Sequence, residues 1–218
     1  MTPPPLHQHV IEYIQEALMQ GRFIPGQKLA LRSIAKEVGT SVAPVREAVS
    51  RLAALDALRV YPKRFILVPT LTAEQYYEFI EIRKLLEGHA AARACQNMSD
   101  NNIDEVIKVN MSLRAFIKEG DLSSAMVENK KFHFKIYSSA NSNVLLGSIR
   151  HIWLRIGPTI HQILTDKKLY VGQVHPMELI KHKLLINALE ERNPSMALRA
   201  MVEIIDLSAG FVLKGLRK

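Results

Sequence analysis

Two arginines carry the first chemistry that the sequence offers. In "TSVAPVREAVSRL", residues 40–52, Val45, Val49 and Leu52 recur at spacings of four and three, so they share one face of a helix. Arg46 and Arg51 then stand on its other sides. A guanidinium on the front of a short helix can meet a phosphate or the edge of a guanine. Thr40 or Ser41 can cap this helix by accepting a backbone N–H bond, and Pro44 is tolerated in its first turn. Further along, Asn129 and His133 are four apart and so share a helical face, and His182 sits beside core-like Leu184, Leu185 and Leu189. Cys95, in "AARACQN", reads as a small buried hydrophobe rather than a nucleophile. A single cysteine cannot close an internal disulfide, which fits a reducing compartment.

The elements that must position the arginines are short. Leu6, Val10, Ile14 and Leu18 mark a first helix that stops at Gly21, and "GRFIPGQKL" is turn chemistry around Pro25-Gly26. Leu31, Ile34, Ala35 and Val38 mark a second helix ending at Gly39, and the opening stretch is a third, running to about Leu55. Two strand-like runs, "LRVY" and "FILV", flank Pro62-Lys63-Arg64, and Pro69-Thr70 closes the unit. Helix, glycine-containing turn, helix and two-stranded ribbon make a winged helix-turn-helix. In that plan the helix from Ser41 enters a major groove. Thr40, Ser41, Val42 and Pro44 lie at its leading end, with Arg46 and Arg51 behind them. Arg32 starts the supporting helix, and Lys63 and Arg64 tip the wing. The competing reading is a set of solvated arginines on any small helical domain. Residues 1–70 hold nine Lys/Arg against five Asp/Glu, a net of +4, which suits sequence-directed binding better than a nonspecific coat.

After Thr72 every segment reads as helix. Thr72 and Gln75 form a capping box, and further helices fit roughly 100–118, 122–139, 144–164, 176–191 and 194–216. Gly157-Pro158 is expected to kink or split the fourth of these six. The expected architecture is mainly α: a winged helix-turn-helix domain over 1–70, then an all-α six-helix effector and dimerisation bundle over 71–218. The whole chain of 218 residues carries a formal charge of +8 and a pI of about 9.6, a balance that favours anionic partners. The N-terminus lacks the basic start and apolar run of a signal peptide, and no run approaches the roughly 20 apolar residues that span a bilayer. The expected location is the cytoplasm, with no membrane partner.

"GRFIPGQKL", "IAKEVGTSVAPVREAVSRL" and the wing resemble the DNA-binding domain of GntR-type transcriptional regulators. "EIRKLLEGHAAARA", "NKKFHFKIYSSANSNVLL" and "KHKLLINALEERNPSMALRAM" resemble the effector domain of their FadR branch, often called FCD. The resemblance implies a dimeric regulator of a double-stranded DNA operator that responds to a small molecule. Two departures stand out. Val42 replaces the Arg that usually follows the Ser opening the recognition helix, which removes one expected contact and offers a thymine methyl an apolar one. Phe65 replaces the usual wing Gly and cannot copy a glycine conformation cheaply, so the wing tip is expected to be reshaped.

The resemblance also implies a pocket in the helical domain, where the family often holds a divalent metal through one Asp and three His. Carried over by position, these are Asn129, His133, His182 and Ile204. Two imidazoles and a neutral amide make a poor site for zinc or nickel, so a metal-free polar pocket is expected, with a metal on His133, His182 and Asn129 as the alternative. The expected effector residues are Arg83, Asn129, His133 and His182. Arg83 is placed to clamp a carboxylate, as in an organic acid or other anionic metabolite, or else pairs with Glu87 one turn on. His151, Arg155 and His161 are further candidate wall residues. The function expected is a ligand-responsive, homodimeric transcriptional regulator, a repressor, and not an enzyme. The alternatives are a metal-dependent helical hydrolase using His133 and His182, which lacks a clear general base, and a nonspecific architectural DNA protein.

Overall fold

Val10, Ile14 and Leu18 are fully buried along α1, Leu6–Met19, which packs against α3, Val42–Ala54. Between them α2, Leu31–Val38, buries Ile34 and Ala35 and ends at Gly39, whose φ of 71° is the left-handed conformation that glycine takes at little cost. Val45, Ala48, Val49 and Leu52 form the buried back of α3, as their spacing requires. This computed structural model describes residues 6–61, 65–166 and 174–217 of the chain. It divides into two units, Met1–Leu71 with Trp153–Gln162, and Thr72–Ile152 with Ile163–Lys218.

The sheet of the first unit has three strands rather than the expected two. β1, Lys28–Leu29, pairs antiparallel with β3, Phe65–Leu67, which also pairs with β2, Arg59–Tyr61, giving the order β1-β3-β2. The Pro25-Gly26 turn recruits the extra strand. Gly26 N–H donates to Val68 O and Val68 N–H to Gln27 O, which lays Lys28 and Leu29 beside β3. The expected side-chain cap of α3 is also absent. Ser41 has the extended backbone of an N-cap, yet its hydroxyl makes no capping bond, and the Thr40 hydroxyl is buried without a partner. Pro44 occupies the third helical position, so the N–H that a capping serine usually receives does not exist there.

The second unit holds α4, Ala73–Asn97; α5, Asp100–Glu119; α6, Leu122–Ser138; α8, Val174–Glu190; and α9, Pro194–Leu216. Both ends of α7, Asn143–Thr165, also belong to it. These six helices end within about three residues of their expected bounds, and five of them start at a side-chain cap. Thr72 and Gln75 form a complete capping box, Ser99, Asp121, Ser142 and Asn193 cap four more starts, and Gly120 closes α5 in the left-handed region. Pro158 lies inside α7 and does not split it. One proline removes a single intrahelical bond, and the neighbouring turns continue past it. α9 packs along α4 and α8, α5 along α6 and α8, and α6 against α4. Cys95 is buried in this core, donates its thiol hydrogen to Ala188 O at 3.2 Å, and has its pKa pushed up by burial.

Candidate functional site

The first unit presents a cleft along the face of α3 that carries Val42, Arg46 and Val49. It encloses about 880 Å³ and is lined by Arg32, Val42, Arg46, Val60, Tyr61 and Phe65 among others. Arg32 and Arg46 are exposed at its rim, and Val42 is half-buried in the first turn of α3. Three of the residues expected at DNA therefore converge on one cleft. Arg51 does not line it, and its guanidinium pairs with Glu47 one turn back at 2.6 Å, both side chains being exposed. Ser41 is exposed and Pro44 half-buried just ahead of these groups. Lys63 and Arg64 lie outside the described residues.

The cleft holds groups that the sequence reading passed over. Lys28 lines it and carries its ammonium 4.6 Å from the centre of the Phe65 ring, a cation–π contact. Tyr61 stands against Phe65 with ring centres 4.9 Å apart. Phe65 thus joins an aromatic pair where a glycine is the family's habit, and Lys28 is drawn onto it. A two-residue strand has no period to read, which hid Lys28. The three residues of β2 are all exposed, so alternation could not single out Tyr61. The signal that was present is the departure at Phe65.

In the second unit a polar cluster lies inside the helices. Tyr76, Arg83 and Glu87 share one face of α4, and Asn129, His133 and Tyr137 share one face of α6. Arg83 is 3% exposed and Glu87 fully buried, and the guanidinium meets the carboxylate in a two-point fork, Nε to Oε1 at 2.7 Å and Nη2 to Oε2 at 3.0 Å. Of the two roles open to Arg83 in the sequence, the clamped carboxylate is thus the chain's own. Tyr137 donates its hydroxyl to Glu87 Oε2, and its oxygen lies 3.1 Å from His133 Nδ1. His182 Nδ1 lies 3.2 Å from Asn110 Oδ1, while Phe132 stacks on the His182 ring at 4.2 Å. His133 and His182 meet edge to face, 5.5 Å between centres. Asn129 Oδ1 and His182 Nε2 are buried with no hydrogen-bond partner.

Burial sets the charge state of this cluster. It works against the Arg83 cation, but Glu87 beside it outweighs burial, and the guanidinium pKa is raised. Burial, helped by the Arg83 charge, lowers His133 to about 3. Burial and then His133 hold His182 well below the usual imidazole range. Burial and then Glu87 push Tyr137 well above the ordinary phenol. The cluster is therefore one neutralised ion pair with two neutral imidazoles.

Those donors do not fit the divalent metal that the resemblance brings to mind. Asn129 and the two histidines supply no negative charge, Ile204 is apolar and buried, and the Glu87 carboxylate is already held by Arg83 and Tyr137. Among the described residues, no group of three or more His, Cys, Asp or Glu could hold a metal ion. Arg155 and His161 fall in Trp153–Gln162, which packs with the first unit, so neither joins this cluster; His151 is exposed.

Comparison with known proteins adds the following. The profile of bacterial regulatory proteins of the gntR family matches residues 6–68, and that of the FCD domain matches residues 78–207. The HTH-type transcriptional regulator McbR of Escherichia coli strain K12 is 29% identical over 196 residues, covering 88% of this chain and 86% of its own. The probable D-xylose utilization operon transcriptional repressor of Paenarthrobacter nicotinovorans is 27% identical over 92% of this chain and 86% of its own. The solved structure of E. coli McbR/YncC superposes with a TM-score of 0.90 at 26% identity, covering 98% of this chain and 99% of that one.

Proposed function

The chain belongs to the gntR family of bacterial regulatory proteins and carries an FCD domain behind the DNA-binding one, and on that premise we propose that it is a homodimeric repressor controlled by a small molecule held among α4–α9. It regulates transcription and is not an enzyme, which sets the hydrolase reading aside. No helix among the described residues is long and apolar enough to cross a membrane, and the proposed place of action is the cytoplasm, where its DNA would lie. The observation that carries the reading is the cleft in front of α3, where Arg32 and Arg46 stand exposed above an apolar floor. Cationic side chains can engage phosphate or guanine there, and Val42 offers a thymine methyl an apolar contact.

The effector is proposed to act without a divalent metal, on the strength of the uncharged donor set around Asn129, His133 and His182. An anionic effector at Arg83 would have to place its charge near Glu87, which already holds the Nε–Nη2 edge of the guanidinium. The reading supported is therefore a small-molecule effector of the cluster, not an organic acid clamped by Arg83. Fluorescence anisotropy on DNA from the region upstream of the chain's own gene, against random DNA at the same salt, tests the regulator itself. Affinity for one site is expected to exceed random binding by about 10³ or more. Equal affinity for both would favour the nonspecific architectural protein instead.

A further inference from the structure

The buried cluster of the second unit leaves two hydrogen-bond acceptors unmet. His182 faces Asn110 Oδ1 through Nδ1. With that amide oxygen accepting, Nδ1 carries the proton and Nε2 presents a lone pair. Nε2 is buried without a partner, and the residue is fully buried. Asn129 Oδ1 is a second buried acceptor without a partner, on a side chain 8% exposed, one turn from His133 on the same face of α6. Phe132 stacks on His182 and His133 meets it edge to face, so the two helices bring these groups to one place. Arg83 and Glu87 close on each other in a two-point fork through Nε and Nη2, and Tyr137 donates to the same carboxylate.

A buried acceptor left alone is costly, and two of them in one cluster ask for donors from a ligand. We infer that the effector of this domain is an uncharged molecule bearing at least two hydroxyl or N–H donors, which it gives to Asn129 Oδ1 and His182 Nε2. The inference rests on the small-molecule control proposed above and names the chemical class. A carboxylate brings no donor to these two acceptors, and sets its charge beside Glu87. A divalent ion would be held by neutral donors alone. A polyol or sugar supplies O–H donors without charge.

The test uses the full-length protein and pairs of open-chain probes in which one terminal CH2OH is replaced by a carboxylate: mannitol and mannonate, ribitol and ribonate, glycerol and glycerate, with zinc chloride as a further probe. Release of operator DNA and the melting temperature are both read. An uncharged member of a pair is expected to release DNA and raise Tm, with its acid at least tenfold weaker. Asn129→Leu removes an acceptor without changing shape much. It is expected to raise the ligand-free Tm by about 2–4 °C and to abolish release by the uncharged probe. A lower Tm for a cooperatively folding Asn129→Leu would overturn the inference, since it would mean that the amide is satisfied within the fold. Should that variant fail to fold, the matched probes on the native chain still decide the question. Release by an acid and not by its uncharged partner overturns the chemical class while leaving small-molecule control standing. Tight retention of one equivalent of zinc overturns it as well, by giving the lone pairs another owner. Failure of every probe to move either reading counts against the class and against small-molecule control together.

Discussion

Arg46 and Arg51 lie five residues apart on one helix and look alike in the sequence, yet the fold treats them differently. Arg46 lines the cleft with Arg32, whereas Arg51 lies outside it and spends its guanidinium on Glu47. Arg46→Ala is expected to cost about 1–3 kcal/mol of operator affinity if the side chain reads a base edge, with a smaller loss on random DNA. Arg51→Ala is expected to change either by no more than about 0.5 kcal/mol, because an exposed ion pair is worth little. Titrations of both variants at fixed salt separate the two; equal losses on operator and random DNA would make Arg46 a phosphate contact. His133 gives a second expectation at this scale. Its folded pKa of about 3 lies below the ordinary 6.5, so between those values the unfolded chain binds a proton that the folded one refuses. Stability is then full above about pH 6.5 and falls on acidification, by about 1.4 kcal/mol per pH unit for this group. His133→Gln should flatten the slope of urea-melt stability between pH 6 and 4.5, and an unchanged slope would contradict a neutral buried ring. Spacing made the shared face of Asn129 and His133 legible, but left Arg83 two partners and could not say that Glu87 had taken it. That choice depends on depth inside the bundle, where an unpaired charge costs too much to leave open.

Helices are the most legible elements, because five of the six after Thr72 combine apolar residues with a side-chain cap that the sequence displays. Strands of two or three residues carry no such redundancy. β1 exists because a turn at Pro25-Gly26 delivers Lys28 and Leu29 to an open edge of β3, which is a tertiary event. The start of α3 shows a subtler limit. Thr40-Ser41 has the look of a cap, and Pro44 has the look of a tolerated first-turn residue, but together they exclude the bond that a cap makes. Removing the hydroxyl should therefore matter little. Ser41→Ala is expected to lower stability by less than about 0.5 kcal/mol, against about 1 kcal/mol for Thr72→Ala, whose hydroxyl accepts from Gln75 N–H at 3.2 Å. Thermal or urea melts of the two variants make the comparison, and equal losses would mean that Ser41 finds a donor after all.

For the whole molecule, the proposed control is a statement about linkage between two binding events. A winged domain reads a short half-site, and two chains related by a two-fold axis read a palindromic pair. The proposal of a dimer therefore predicts two chains bound per operator, and a sedimentation mass near twice 24.6 kDa for the free protein at micromolar concentration. A free monomer that binds a single half-site would contradict it. If an effector loosens the operator by some factor, thermodynamics requires the operator to loosen the effector by the same factor. That factor is typically about 5–150, equivalent to a coupling of about 1–3 kcal/mol. Titrating whichever probe releases DNA into the free protein and into the protein–operator complex measures both sides of the cycle. Equal factors are expected, with the probe weaker on the complex. A probe that forms no ternary complex with the operator-bound protein at any concentration would be competing at the cleft in front of α3. Control would then lie with Arg32 and Arg46 rather than with Asn129 and His182.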